Sequence, residues 1–168
     1  LQEAESKGAV SSVLLIVDRV VMLVRSVSFI GATESQSTGI FFRGGGQRES
    51  VVIRSSFTGL ASGIEVFGTI PRIVGSIFEM IDGDAVVFHE RVVKGDDEDN
   101  SFGDATDPGS GWNVFSEVTG NAVVNERPET ITMQNNSWDT DDPASVISGP
   151  SDFEPFLVLC MFFRLILL

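Results

Sequence analysis

The chain is poor in the groups that most enzymes and nucleic-acid binders depend on. It has one cysteine, Cys160, among 168 residues, which excludes an intrachain disulfide framework and any multi-cysteine zinc site. It has one histidine, His89, so a Ser-His-Asp triad or a histidine-metal site must pass through it. "HERVV" lacks the second histidine of a zincin, and His89 at the end of "DAVVFH" reads as a surface residue closing a strand. Basic residues are scarce, 11 Lys+Arg against 24 Asp+Glu for a formal charge of −13. That field repels nucleic acid, and no basic patch offsets it.

Membrane-length apolar runs are missing too. "SSVLLIVDRVVMLV" is interrupted by Asp18 and Arg19 and reads as two buried strands around a charged corner. The tail "FLVLCMFFRLILL" contains Arg164 and falls short of the roughly 20 residues of a spanning helix. It is expected to cap the domain, with self-association or interfacial anchoring as the alternatives. The chain opens on Leu, and "LQEAESKGAV" has no basic start and no small-residue cleavage pattern, so the amino end reads as processed or truncated, without a signal peptide. Its first seven residues have helix-forming composition but are too few to stand alone.

What the sequence does have is a repeat. Five segments align on an aromatic: "RSVSF" at Phe29, "RSSF" at Phe57, "GSIF" at Phe78, "DNSF" at Phe102 and "NNSW" at Trp138. Two positions before the aromatic stand Val27, Ser55, Ser76, Asn100 and Asn136, four of them short and polar. A second landmark is a glycine opening an apolar strand, at Gly39, Gly63, Gly83 and Gly120. From these glycines to the next aromatic are 18, 15, 19 and 18 residues; from aromatic to glycine, 10, 6, 5 and 18. Length variation is thus expected in one corner of the repeat, between aromatic and glycine.

The segments between are short, rich in Val, Ile, Phe and Thr, and separated by Gly, Pro, Asn, Asp or Ser. Two or three short strands per 20 to 30 residues is the signature of a β-solenoid, whose coils stack at about 4.8 Å with like residues over like. Stacked Ser and Asn side chains would bond to one another and to the turn backbone, and the aromatics would form an inward ladder. The expected polar column is Ser55, Ser76, Asn100 and Asn136; the aromatic column is Phe29, Phe57, Phe78, Phe102 and Trp138. One domain is expected at 12–159, with a lead-in or cap at 1–11 and the apolar tail at 160–168.

"SVVIRSSFTGLASGIEVFG" resembles repeats of right-handed parallel β-helix proteins, the pectin-lyase-like class found among secreted and surface-attached bacterial proteins. Arg54-Ser55 stands where that class often has Asn-Ser. "GNAVVNERPETITMQNNSWDTDDPASVISGPSDFEPFL" is similar to their closing coils, Asn135, Asn136 and Trp138 matching an Asn-Asn-Trp-Trp-Gly motif in which Ser137 and Asp139 depart from the pattern. The resemblance implies an all-β, right-handed parallel β-helix (a single-stranded solenoid) of about five coils, at the cell surface or outside the cell. It also implies a non-catalytic module for structure, adhesion or contact with a polysaccharide or surface glycan. The alternatives are a polysaccharide lyase or glycoside hydrolase, since the architecture carries many functions, and a fragment of a larger repeat protein.

For the enzyme alternative the candidate acids are Asp82 and Asp84 in "IDGDAVVF", which share a face of an extended segment as an acid–base pair would. The same residues suit a turn. No cofactor is expected unless Ca²⁺ binds the acidic run Asp96, Asp97, Glu98 and Asp99, which has neither EF-hand spacing nor the nonapeptide calcium repeat. "DTDDP" at 139–143 reads as a second solvated acidic turn. "FFRGGGQRES" lacks the Lys-Ser/Thr and the helix of a phosphate loop; it reads as a corner that leaves Arg43 and Arg48 available to an acidic glycan.

Overall fold

The computed structural model describes residues 12–18, 21–31, 37–43, 50–90, 101–104, 106–107 and 109–158. Every layer of the fold consists of three short strands. The first is β1 (Ser12–Asp18), β2 (Leu23–Arg25) and β3 (Ser28–Ile30). The second is β4 (Ser37–Arg43), β5 (Val51–Ile53) and β6 (Ser56–Thr58), and the third β7 (Ser62–Phe67), β8 (Arg72–Val74) and β9 (Ile77–Ile81). Layer four holds β10 (Val86–Phe88), β11 (Ser101–Gly103) and β12 (Val114–Val118); layer five holds β13 (Val123–Asn125), β14 (Ile131–Met133) and β15 (Ser137–Trp138). β16 (Ile147–Ser148), β17 (Ser151–Asp152) and β18 (Leu157–Val158) form the sixth.

All pairings are parallel and join a strand to its counterpart one layer away. One six-stranded sheet runs β1-β4-β7-β10-β13-β16, and another β3-β6-β9-β12-β15-β18. The second side is divided into β2-β5-β8 and β11-β14-β17, linked by a single bridge between Val74 and Gly111. The path from β1 to β16 makes five turns, a parallel β-solenoid as the repeat predicts.

Inward residues stack in columns because parallel pairing without offset places each side chain over its equivalent. Ile40, Ile64, Val86 and Val123 form one column on the first sheet, all fully buried. Val24, Val52 and Ile73 form another on the second side. On the third sheet Phe29, Phe57, Phe78, Phe115 and Trp138 stack with ring centroids 4.8–4.9 Å apart and planes within 8° of parallel. The ring separation equals the spacing between paired strands.

The ladder corrects the sequence reading at one layer. Phe115 occupies its fourth rung, not Phe102. Phe102 is buried to one side, edge-on to Phe88 with centroids 5.7 Å apart and tilted against Phe115 at 6.1 Å. The polar column likewise contains Asn113, while Asn100 lies outside the described residues. The polar rungs are Ser55, Ser76, Asn113 and Asn136, all buried.

Each polar rung accepts an N–H from the layer before it. Ser55 Oγ accepts from Val27 N at 3.3 Å, and Ser76 Oγ from Ser55 N at 3.3 Å. Asn113 Oδ1 accepts from Ser76 N at 3.0 Å, and Asn136 Oδ1 from Asn113 N at 3.1 Å. The need arises from the corner. The residue just before each rung is left-handed: Ser26 (φ 53°), Arg54 (49°), Gly75 (59°), Trp112 (61°) and Asn135 (60°). That turn aims the next N–H along the stack, where a buried donor must find an acceptor.

The glycine landmark has a packing cause. A Cβ on Gly39 would lie 2.8 Å from Phe57 Cδ1, and one on Gly63 2.7 Å from Phe78 Cδ1; each glycine makes room for the aromatic rung of its own layer. In layers four and five the column continues through Ala85 and Ala122, by the registers Ile64↔Val86 and Val86↔Val123. Gly83 and Gly120 stand two residues earlier, Gly120 N donating to Gly83 O. With that register, Phe78 and Phe115 are each seven residues from the column, and Gly39, Gly63, Ala85 and Ala122 are 18, 15, 30 and 16 residues from their aromatics. The main insertion therefore lies between the first and third sheets of layer four, not in the corner after the aromatic.

Candidate functional site

Outward residues of the first sheet also stack, and on this face titratable and aromatic side chains meet. Arg43 and Phe67 are partners in the register of β4 and β7. His89 follows β10 directly and stacks on the Phe67 ring with centroids 3.9 Å apart and planes 20° from parallel. Phe67 in turn meets Phe41 at 5.2 Å. Phe67 retains 38% of its surface in solvent, so the strip is an accessible aromatic edge.

Two carboxylates bracket the imidazole. Glu126 Oε2 is 2.9 Å from His89 Nδ1, and Glu65 Oε2 is 3.3 Å from Nε2. Thr38 Oγ1 donates to the other Glu65 oxygen at 2.7 Å, fixing that carboxylate from the neighbouring layer. An imidazolium can donate to both acids, whereas a neutral ring has one N–H and can donate to only one of them. Both ring nitrogens are occupied by carboxylates, the opposite of a base paired with a nucleophile.

Arg127 holds this corner from behind. It is 2% exposed; its Nε donates to His89 O at 3.2 Å, its Nη2 donates to Gly68 O, and its guanidinium carbon lies 5.9 Å from the Phe88 ring centre. Asn125 Oδ1 accepts the Arg127 N–H at 3.0 Å. One side chain from layer five thus secures backbone of layers three and four beside Phe67 and His89.

Asp84 is committed to the architecture: its Oδ1 accepts Asn121 N at 2.7 Å and Asn121 Nδ2 at 3.1 Å. Asp82 is exposed, and its N–H donates to Leu60 O. Asp96, Asp97, Glu98 and Asp99 lie outside the described residues, as do Arg48, Cys160 and the segments 1–11 and 160–168. Among the described residues no group of three or more His, Cys, Asp or Glu side chains is arranged to hold a metal, and no helix is long and apolar enough to cross a membrane.

The insertion of layer four is tied down locally. Thr106 donates its hydroxyl and its N–H to Asp104 Oδ1, both at 2.7 Å, and these bonds hold the Asp104 carboxyl below its ordinary pKa. Arg72 reaches from layer three to Asp107 at 3.2 Å and to Gly109 O at 2.8 Å. Both partners of that ion pair are largely solvated, so it orients the loop more than it stabilises the fold.

Neither Glu65 nor Glu126 stands out in the sequence, since each is 24 or 37 residues from His89 and only the stacking of layers joins them. The signal that was available is the alternation in "GIEVF", which puts Glu65 and Phe67 on one face of one strand.

Strand pairing defines the class of the molecule, a parallel β-solenoid. Comparison with protein-family models, curated proteins and solved structures finds no significant match.

Proposed function

We propose that the protein is a non-catalytic surface or secreted solenoid module that contacts carbohydrate through the outer face of its first sheet. The observation carrying this reading is the exposed Phe67–His89 stack bracketed by Glu65 and Glu126. A rigid sheet supplies the platform, the exposed aromatic edge offers apolar C–H surface to a sugar, and carboxylate oxygens beside it accept sugar hydroxyls. The pectin-lyase-like pattern of "SVVIRSSFTGLASGIEVFG" supports the same reading. Engagement of Asp84 by Asn121 weighs against the lyase or hydrolase alternative.

A glycan array followed by calorimetry on the best ligand tests the proposal. Phe67→Ala is expected to weaken binding by at least about tenfold, the loss typical of an aromatic anchor, and Glu126→Gln to weaken it less. Wild-type protein that retains no glycan, or a Phe67→Ala variant that binds as wild type does, would sink the proposal.

A further inference from the structure

The corner between the second side and the third sheet differs in composition from the rest of the molecule. In the first five layers it comprises residues 25–28, 53–56, 74–77, 111–114 and 134–137. These segments contain none of the 24 acidic residues of the chain, but they include Arg25 and Arg54. Both arginines are exposed, and neither guanidinium has an ion pair or hydrogen bond among the described residues. Acids stand just outside the corner. Asp104 and Asp107 lie in the layer-four loop, bonded to Thr106 and paired with Arg72, and Glu79 is two residues beyond Ile77.

The left-handed position of this corner is Ser26, Arg54, Gly75, Trp112 and Asn135 from layer to layer. Gly75 interrupts the column of side chains. Around a Cβ placed there, Arg54 Cγ at 3.8 Å is the one atom within 4 Å apart from the chain neighbours. A notch one layer high thus separates Arg54 from Trp112, two strand spacings or roughly 10 Å apart. Val74 and Ile77 flank Gly75 in its own layer, and Val114 is in register with Ile77 one layer above. Ile77 is 45% exposed and Trp112 47%. A bulky side chain is disfavoured at the φ of 61° that Trp112 adopts, where layers three and five use glycine and asparagine. With nearly half of its surface in water, the indole gains less from the fold than a buried one would.

We propose that this corner docks a protein segment in which acidic residues flank one apolar side chain. The apolar side chain enters the notch over Gly75, beside Trp112 and Ile77, and the flanking carboxylates meet Arg25 and Arg54. The composition is that of an interface, since Trp and Arg are enriched at the energetic centres of protein contacts and acidic residues are depleted there. Charge sets the size and sign of the partner. A chain of formal charge −13 repels a long polyanion such as nucleic acid, and two arginines do not reverse that. A few carboxylates on a short segment are held locally, within a Debye length of about 8 Å. A basic segment would meet two arginines and no acid in the corner, and a neutral sugar would leave both guanidinium groups unpaired. Phe67 and His89 lie on and beside the first sheet, so the two surfaces are separate.

Selection of a displayed library of random heptapeptides on the immobilised full chain tests this, with the affinities of the enriched peptides measured by fluorescence anisotropy. Enriched peptides are expected to be acidic with one central apolar residue, the opposite of what net charge alone would select. Trp112→Asn and Arg54→Asn introduce the residue that Asn135 already supplies to this corner, so both variants are expected to keep the wild-type circular dichroism and melting temperature. Trp112→Asn is expected to weaken the peptides at least about tenfold. Arg54→Asn should weaken them less and flatten the dependence on salt. No enrichment, enrichment of basic peptides, or acidic peptides that bind Trp112→Asn as tightly as wild type would overturn the inference. So would a glycan or a second copy of the chain whose binding Trp112→Asn abolishes, since that ligand would then be the occupant of the corner.

Discussion

Phe78 and Phe115 stack with ring centroids 4.9 Å apart and planes 8° from parallel, although they stand 37 positions apart in the chain. Neighbouring rungs of the ladder are separated by 28, 21 and 23 residues. The extra length is accommodated outside the column, because a rung missing from the stack would leave an aromatic-sized void between Phe78 and Trp138.

Phe115→Ala creates that void directly and is expected to cost about 3–5 kcal/mol, the usual loss for a fully buried phenylalanine. Urea denaturation measures it. Trp138 lies on the Phe115 ring at 4.8 Å, so its fluorescence should change in the same variant; an unaltered emission spectrum with wild-type stability would contradict the stack.

Asn113 serves three partners, accepting from Ser76 N and donating to Ile73 O and Asn136 Oδ1. Asn113→Leu keeps the volume but strands buried polar groups, at an expected cost of about 3 kcal/mol. Asn113→Ser reproduces the chemistry of the Ser76 rung and should recover part of that loss. Equal stability of the two variants would argue against the polar column as a hydrogen-bonding device.

At the left-handed corner, Gly75 has φ 59° and open space, its nearest side-chain neighbour being Arg54 Cγ at 3.8 Å from a Cβ placed there. Gly75→Ala should therefore lose about 1 kcal/mol through the backbone alone. Gly75→Asn, the residue of Asn135 in the same corner, should lose less. The urea midpoint is expected to shift with the slope unchanged; no shift in either variant would contradict a left-handed corner.

The Asp104 carboxyl is held below its ordinary pKa first by the Thr106 hydroxyl and then by the Thr106 N–H. A lowered folded pKa means that this turn contributes stability above the unfolded carboxylate value and loses it as pH falls through the depressed one. Thr106→Val removes the larger cause, so carbon-detected NMR titration should find the Asp104 pKa raised toward the ordinary carboxylate value. A titration that coincides with wild type would contradict the pairing.

The columns could be read from sequence wherever one aromatic and one short polar residue offered themselves per coil: Ser55 with Phe57, Ser76 with Phe78, Asn136 with Trp138. Layer four offers two copies of the same local pattern, Asn100-Ser101-Phe102 and Asn113-Val114-Phe115. Phe102 lies in β11 and Phe115 in β12, and both aromatics are buried. Only the pairing of β12 with β9, Phe115 over Phe78, selects between them. Gly83 and Gly120 carry the same sequence pattern as Gly39 and Gly63, because a turn glycine and a glycine that clears space for an aromatic look alike until a ring is placed beside them.

Residue type and spacing by themselves determined that this chain winds into stacked parallel coils, since alternating β-branched strands, short polar corners and recurrent aromatics satisfy their backbones and bury their rings together in that arrangement. Tertiary structure alone decided which distant residues share a face. Glu65, His89 and Glu126 come from three different layers. Those neighbours are set by interlayer register and by the angle between sheets, which depend on the length of every intervening turn and not on any local pattern.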